Sequence, residues 1–235
     1  MTRPRLAARI AGLFYLTITA SALYAYLHVR GELIVPSDKA RTGANLIAQE
    51  HFFRTGLTAA VLVVLCNPPM GAILYFLLRV VNPLLALLAL VFITISTTIE
   101  AMNLLNYAAP FFTFSLPEYH AAFSPEQIQA LARGPIKLFG FTFTVSLSFF
   151  GVFCALTGYL ILRSKFLPWF LGALMMAGGV AYLLNGITVF LDLPDIPHLF
   201  DVTLVAENAL ALWLVVFGVD EAKWRDQASP AIQSS

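Results

Sequence analysis

The sequence predicts an all-α, polytopic membrane protein with six transmembrane helices in one bundle. Hydrophobic residues make up 59% of the 235 residues and charged residues 11%, whereas soluble domains have roughly 45–50% and about 25%. Mean hydropathy is +0.81, and the apolar residues form long continuous runs. These values exclude a disordered chain, a disulfide scaffold and an ordinary soluble enzyme. The net charge of +1 gives no reason to expect a nucleic-acid partner.

Six stretches are long enough to cross a bilayer core about 30 Å thick, which needs roughly 20 mostly apolar residues per helix. Continuous apolar runs favour helices over barrel strands, because barrel strands alternate apolar and polar residues. The chain then ends in a polar cytoplasmic tail, residues 221–235, whose part from Lys223 onward is expected to fray. The predicted spans are residues 7–29, 52–78, 84–107, 136–162, 166–191 and 202–219.

The distribution of charge predicts that both termini are cytoplasmic. Lys and Arg concentrate in cytoplasmic loops of membrane proteins, and the turns at residues 78–83 and 163–165 carry bases without acids, whereas residues 191–201 carry acids without bases. Arg3, Arg5 and Arg9 precede the apolar run of span one, as in a secretory signal, but this run exceeds the 7–15 residues typical of a signal. We therefore expect span one to be retained. The charges concerned are Arg79, Arg163 and Lys165 on one side and Asp192, Asp195 and Asp201 on the other.

The two longest connections carry helix-start signals. Ser37 or Asp38 can cap a short helix reaching residues 45–50, and Ser124 followed by Pro125 predicts a second helix to about Arg133. We expect both segments to lie on the outer surface as lids. Within span two, the pair Pro68–Pro69 removes two backbone donors and predicts a kink or a break.

Polar residues within the spans are the strongest functional signal, since each needs a partner or a water-filled cavity. Counting 1.5 Å per helical residue places polar groups from every span in the outer third of the membrane, whereas the inner halves are almost purely apolar. These groups are Tyr24 and His28 (span one), His51, Arg54 and Thr58 (two), Glu100, Asn103 and Asn106 (three), Lys137, Thr142 and Thr144 (four), Asn185 (five) and Glu207 (six).

This shared depth predicts an outward-facing pocket that binds or passes a small polar or amphiphilic ligand, with Arg54 as counter-ion of one or both carboxylates. The lipid bilayer, with a small molecule or lipid ligand, is the expected partner. The candidate ligand-binding residues are Arg54, Glu100, Asn103, Asn185, Glu207, His51 and His28.

Two other classes stay open. Glu100 and Glu207 are candidate catalytic residues of a membrane-embedded enzyme acting on a lipid or isoprenoid, because two carboxyls in an apolar cavity can divide acid and base roles. The same residues could instead form a buried ion-pair network with a purely structural role. No metal or cofactor is expected, since zinc-ligand spacings and phosphate-binding glycine loops are absent from the sequence. Cys66 and Cys154 are expected to be packing residues.

The chain resembles a bacterial family of six-span integral membrane proteins, the domain of unknown function 4386. The resemblance covers nearly the whole chain and implies this fold and a location in the bacterial inner (plasma) membrane, without implying a reaction. The pair Pro68–Pro69 departs from the family pattern. The segments that carry the resemblance are 8–16 (ARIAGLFYL), 34–36 (IVP), 53–56 (FRTG), 100–105 (EAMNLL), 149–151 (FFG), 158–160 (GYL), 167–168 (LP), 206–207 (AE) and 211–213 (ALW).

Overall fold

The computed structural model describes residues 3–233, and its regular structure throughout that range is helical. Six helical segments there are long and apolar enough to cross a membrane, which confirms the predicted all-α, multi-pass class. The elements are α1 (Pro4–Ala22), a π-helical stretch (Leu23–Val29), α2 (Arg30–Leu33), α3 (Lys39–Ala48), α4 (Glu50–Leu78), α5 (Pro83–Ser115), α6 (Pro117–Ala122), α7 (Pro125–Arg163), α8 (Trp169–Phe190), α9 (Leu199–Val216) and α10 (Glu221–Gln233). The candidate spans are Pro4–Leu33, α4, α5, α7, α8 and α9.

The helix-start signals in the two long connections act as predicted. The Asp38 side chain accepts a hydrogen bond from the Arg41 backbone N–H at 2.9 Å and caps α3. Ser124 forms a reciprocal capping box with Gln127, in which each side chain accepts from the other residue's backbone N–H. The helix that begins there does not stop near Arg133, however. It continues through Pro135 to Arg163 as one element.

Prolines inside the spans leave the helices continuous. Helix α4 runs unbroken through Pro68 and Pro69, and α5 runs through Pro110. A break of span two is therefore excluded. Proline is tolerated in membrane helices because neighbouring groups can satisfy the carbonyls that it leaves free.

The chain divides into two compact units. Unit 1 comprises Met1–Thr17, Leu65–Thr97 and Thr144–Ser235, and unit 2 comprises Ile18–Val64 and Thr98–Phe143. Four of the six spans contribute residues to both units, whereas α8 and α9 belong wholly to unit 1.

Unit 1 is held together by backbones in close contact. A Cβ added to Gly158 of α7 would lie 2.7 Å from the Gly172 carbonyl oxygen of α8, and one added to Gly179 would lie 2.6 Å from that of Gly151. No side chain fits at these positions, so α7 and α8 approach as closely as small residues permit. Gly178, next to Gly179, faces Ala206 of α9.

Unit 2 has an aromatic core. Phe53 stacks on Tyr107 and on Phe111, with ring centroids 5.6 and 4.9 Å apart. Leu46 of α3 is buried in the same cluster, and α3 thereby packs onto the spans instead of lying free. The face of α3 that carries Gly43 lies directly against the ring of Phe114.

The C-terminal segment is an ordered helix, contrary to the expectation that it frays from Lys223 onward. Trp224 of α10 is buried, and its indole N–H donates to the Leu77 carbonyl at 3.0 Å. Leu77 lies in the last turn of α4, where backbone carbonyls have no partner within the helix. Gln227 also accepts from the Lys165 backbone N–H at 3.0 Å. Helix α10 thus caps the ends of two spans. Positions 234–235 lie outside the described residues.

We predict that Trp224→Phe lowers the stability of the protein, because the Leu77 carbonyl loses its donor within a buried contact. The expected cost is about 1–2 kcal/mol, or ~2–8 °C in the midpoint of thermal unfolding in detergent. Trp169→Phe is the matched control, since Trp169 is 69% exposed. Equal midpoints for the two variants would contradict the capping role of α10.

Candidate functional site

Unit 2 contains a buried carboxyl group that is held by a tyrosine. Glu100 in α5 is 5% exposed, and one of its oxygens, Oε1, accepts a hydrogen bond of 2.7 Å from the Tyr26 hydroxyl. We call Glu100, Tyr26, Asn103 and Tyr107 the Glu100 centre. Asn103 is completely buried and donates to the Phe139 carbonyl at 3.1 Å, while Asn106 donates to the Asn103 side-chain oxygen at 3.2 Å.

The backbone of the π-helical stretch positions Tyr26. This stretch, Leu23–Val29, interrupts span one, and its carbonyl of Ala25 accepts a hydrogen bond of 3.3 Å from the Tyr107 hydroxyl. π-Helical turns are rare and occur frequently at functional sites, because they are less stable than α-helix unless they serve a contact. Here the irregular turn supplies both the Tyr26 donor and the Ala25 acceptor.

Aromatic rings surround the Tyr26–Glu100 hydrogen bond. The Tyr26 ring lies 6.3 Å from Tyr107, 5.7 Å from Phe139 and 5.1 Å from Phe143, measured between ring centroids. These rings form an apolar lining whose polar features are the tyrosine hydroxyl groups and the partial negative charge on the ring faces. The carboxyl group is therefore desolvated, and protein groups supply its polar contacts.

One oxygen of this carboxyl group is unsatisfied. Oε2 of Glu100 is buried and has no hydrogen-bond partner among the described residues. Buried side-chain oxygens nearly always have a partner, and an exception in a native structure calls for a ligand, a water or a stored strain. The Asn103 side chain is also close enough to interact with the Glu100 carboxyl group, although Oε2 makes no direct hydrogen bond within the described residues. The Glu100 centre thus holds Oε1 through Tyr26 and leaves Oε2 with Asn103 as its polar neighbour.

A second carboxyl–tyrosine pair lies in unit 1. The Tyr182 hydroxyl of α8 donates to Glu207 of α9 at 2.5 Å. Tyr15 and Cys154, both fully or almost fully buried, are close enough to Glu207 to interact with it electrostatically. The Glu207 residue is partly exposed, but its carboxyl group lies deep within unit 1 and, like that of Glu100, is desolvated by its burial.

Asn185 lines a small cavity beside the second pair. The cavity has a volume of about 40 Å³ and is lined by Tyr182, Asn185, Thr203 and apolar residues of unit 1. This volume holds roughly three water molecules. Tyr182 therefore connects the predicted residues Asn185 and Glu207, since it lines this cavity and also holds the carboxyl group.

Arg54 does not act as the counter-ion of Glu100. It forms an ion pair of 2.7 Å with Glu50, one helical turn earlier on α4, and the two side chains are 61% and 50% exposed. An Arg and a Glu four residues apart on a helix are neighbours on its surface, and Glu100 already has Tyr26 as its donor. Glu207 belongs to unit 1, where its donor is Tyr182.

The two predicted histidines lie on the exposed surface of unit 2. His28 packs its ring against Tyr24 and Phe52, at centroid distances of 5.7 and 5.4 Å. His51 is exposed at the start of α4. Across residues 3–233 no three His, Cys, Asp or Glu side chains are arranged so that they could hold a metal ion.

Sequence reasoning missed the aromatic and cationic members of these sites. Tyr26 and Tyr182 could have been found from the rule that a tyrosine hydroxyl inside a span needs a partner. Arg30, at the start of α2, is half-buried. Its guanidinium lies 4.0 Å from the Phe139 ring centroid and donates to the Ile136 carbonyl at 3.1 Å.

These observations define a multi-pass α-helical membrane protein whose intramembrane carboxyl groups are held by tyrosines. Residues 10–218 match the family described as Domain of unknown function (DUF4386), and because the match spans most of the chain, the protein belongs to this family. The predicted family membership is thereby confirmed. Comparison with curated proteins gave no match, and neither did comparison with solved structures.

We predict that Tyr26→Phe lowers the stability of the protein by about 1–3 kcal/mol, because Oε1 of buried Glu100 then also loses its hydrogen-bond donor. Tyr24→Phe is the control. Tyr24 lies in the same π-helical stretch and bonds Thr55 at 2.8 Å, but on the exposed surface, so its loss should cost less than ~0.5 kcal/mol. The measurement is thermal unfolding of the purified proteins.

A double variant separates the hydrogen bond from the packing of the Tyr26 ring. Tyr26→Phe combined with Glu100→Leu removes both polar groups and should recover part of the stability lost in Tyr26→Phe. If Tyr26→Phe is no less stable than Tyr24→Phe, the Tyr26–Glu100 contact contributes nothing to the fold.

Proposed function

We propose that this protein binds a small polar or amphiphilic ligand inside the membrane at the Glu100 centre. One observation carries the proposal: Glu100 Oε2 is buried without a partner while Tyr26 holds Oε1. A buried oxygen without a donor can accept a hydrogen bond from a ligand that carries a donor group. Intramembrane carboxyl groups are in general functional, since an apolar residue would pack at lower cost.

The surroundings of Glu100 favour a ligand with an amine, ammonium or hydroxyl group. Such groups donate to a carboxyl oxygen, and an ammonium group is also attracted to aromatic ring faces within about 6 Å. Tyr26 and Tyr107 supply such faces, whereas the Arg30 guanidinium already lies over the Phe139 ring. The apolar part of an amphiphilic ligand would then contact the same rings.

Access to this site requires movement, because the unpartnered oxygen is enclosed. We propose α3 and α6 as the lids. Both are short helices outside the spans, and α3 contacts the core of unit 2 through Leu46 and through the Gly43–Phe114 contact. Passage of a ligand, as opposed to binding alone, would require a second opening.

The proposed setting is the inner (plasma) membrane of a bacterium, with both termini in the cytoplasm. The charge distribution along the sequence supports the orientation of the termini, with bases in the 78–83 and 163–165 turns and acids in the 191–201 loop; the choice of membrane rests on the family resemblance alone. Labelling tests it: a membrane-impermeant maleimide should react in intact cells with a cysteine introduced at Asp195, and not with one introduced at Ala222.

We predict that ligand-dependent stabilisation is lost in Glu100→Gln. The purified protein is melted with a panel of primary amines, quaternary ammonium compounds and polyols, and a compound present at 100 times its Kd should stabilise it by about 2.7 kcal/mol. Gln preserves the volume of Glu100 but removes the second carboxylate oxygen and the charge. Glu126→Gln is the matched control, because Glu126 is exposed at the start of α7 and outside the proposed lids.

Two outcomes would contradict this proposal. The first is that no compound in the panel shifts the midpoint of the parent protein. The second is that Glu100→Gln and Glu126→Gln respond equally to the compound that shifts the midpoint of the parent protein. Native mass spectrometry of the protein in mild detergent provides an independent measurement, since a ligand retained from the cell should be absent from Glu100→Gln alone.

A second candidate function is catalysis on a lipid or isoprenoid at Glu207. The observation that favours it is the 2.5 Å hydrogen bond from Tyr182 to Glu207, which places an acid and a base side by side, with Tyr15 and Cys154 near the same carboxyl group. Turnover of a co-purified lipid that is lost in Glu207→Gln and retained in Glu100→Gln would favour this candidate over binding at Glu100.

A further inference from the structure

A basic cleft lies at one end of unit 1, apart from both carboxyl centres. It has a volume of about 400 Å³ and is built from the first turn of α1, the connection between α7 and α8, the end of α9 and the start of α10. Three basic residues, three aromatic residues and one acid contribute to its lining: Arg5, Lys165, Lys223, Phe166, Trp213, Phe217 and Asp220.

The cleft has a fixed backbone frame. Gly218, with φ of +70°, ends α9, and the following Asp220 N–H donates to the Phe166 carbonyl at 3.1 Å. The Arg5 side chain contacts the Val219 carbonyl at 3.4 Å. The buried Trp224 then anchors α10 one turn beyond Asp220. Four chain segments are therefore held around the cleft by hydrogen bonds.

The charge of the cleft favours an anion. Hydrogen bonding from the Lys223 backbone N–H lowers the pKa of Asp220, so this acid is ionised at neutral pH and pairs with the Lys223 ammonium at 3.4 Å. Glu221 accepts from the Arg5 backbone N–H at 3.3 Å and lies 3.8 Å from Arg225. Both acids are thus paired, whereas Lys165 is exposed and uses only its backbone N–H in a described hydrogen bond.

The aromatic side of the cleft fits a membrane interface. Trp213 contacts Phe217 and Phe170, with centroids 4.5 and 5.8 Å apart, and aromatic residues at the ends of spans are typical of the headgroup region. Beside them on α9, Leu212 and Val216 are 53% and 54% exposed. An apolar helix face therefore continues directly from the basic cleft.

We infer that this cleft is a binding site for the headgroup of an anionic phospholipid. Arg5, Lys165 and Lys223 contact the phosphodiester, Trp213 and Phe217 contact the glycerol region, and the acyl chains follow the exposed face of α9. Basic pockets at the ends of membrane helices bind such headgroups through charge and hydrogen bonding. The lipid also touches the start of α10, so binding stabilises the docked state of that helix.

The test compares two lipids with identical acyl chains on protein stripped of lipid. Dioleoyl phosphatidylglycerol should raise the midpoint of thermal unfolding more than dioleoyl phosphatidylcholine, and native mass spectrometry should show it retained preferentially. The double variant Lys165→Gln/Lys223→Gln should need about tenfold more phosphatidylglycerol for half of the effect. Lys39→Gln/Lys137→Gln removes the same charge from unit 2 and should behave like the parent protein.

Three results would overturn the assignment. Equal stabilisation by the two lipids would mean that the headgroup charge is not recognised. If both double variants lose the same amount of phosphatidylglycerol stabilisation, the lipid responds to the total charge of the protein and not to the cleft. Full stabilisation by inorganic phosphate alone would identify a soluble anion as the ligand. The comparison of lipids on the parent protein stands even if one of the variants fails to fold.

Discussion

A carboxyl group inside a membrane span has no water to bind and must find its hydrogen-bond donor within the protein. In this protein the donor is a tyrosine in both cases: Tyr26 for Glu100 and Tyr182 for Glu207. A phenol brings its hydroxyl on an apolar ring, which packs among phenylalanines without exposing a second charge. An arginine in the same place would add its own desolvation cost to that of the carboxylate. The observed pairing therefore allows a carboxyl group deep in an apolar core.

The sequence predicted what depends on local pattern. Hydropathy located the six spans, and the capping residues Asp38 and Ser124 marked true helix starts. The continuation of α7 beyond Arg133 was missed because a proline such as Pro135 commonly ends a helix. A proline ends a membrane helix only when no neighbouring group satisfies the backbone carbonyl that it leaves free. The order of the C-terminal segment was missed for a similar reason. It depends on one distant contact, from Trp224 to Leu77, which composition does not reveal.

The site was predicted only in part. The estimated depth in the membrane selected Glu100, Asn103, Asn185 and Glu207. Depth alone does not identify the partner of a side chain, which depends also on the direction in which that side of the helix faces. Arg54 shows the consequence, since its depth suited Glu100 while its nearest acid was Glu50, one turn away on the same helix. Tyr26 was harder to place, because it lies in a π-helical stretch, where the α-helical period of 3.6 residues no longer gives the facing direction.

That π-helical stretch also bears on how a closed site can open. Each residue in an α-helix turns the chain by about 100°, so converting a π-helical turn to α-helix rotates the side chains on one side of it relative to the other. Such a shift in Leu23–Val29 would move the Tyr26 hydroxyl from Glu100 and the Ala25 carbonyl from Tyr107, the two contacts that the stretch now makes. Both belong to unit 2, and a ligand that satisfies Glu100 would replace the hydrogen bond lost from Tyr26. In the binding function proposed above, the one or two exchanged hydrogen bonds would contribute about 1–3 kcal/mol to the free energy of opening, in addition to the ring contacts that Tyr26 makes with Tyr107, Phe139 and Phe143.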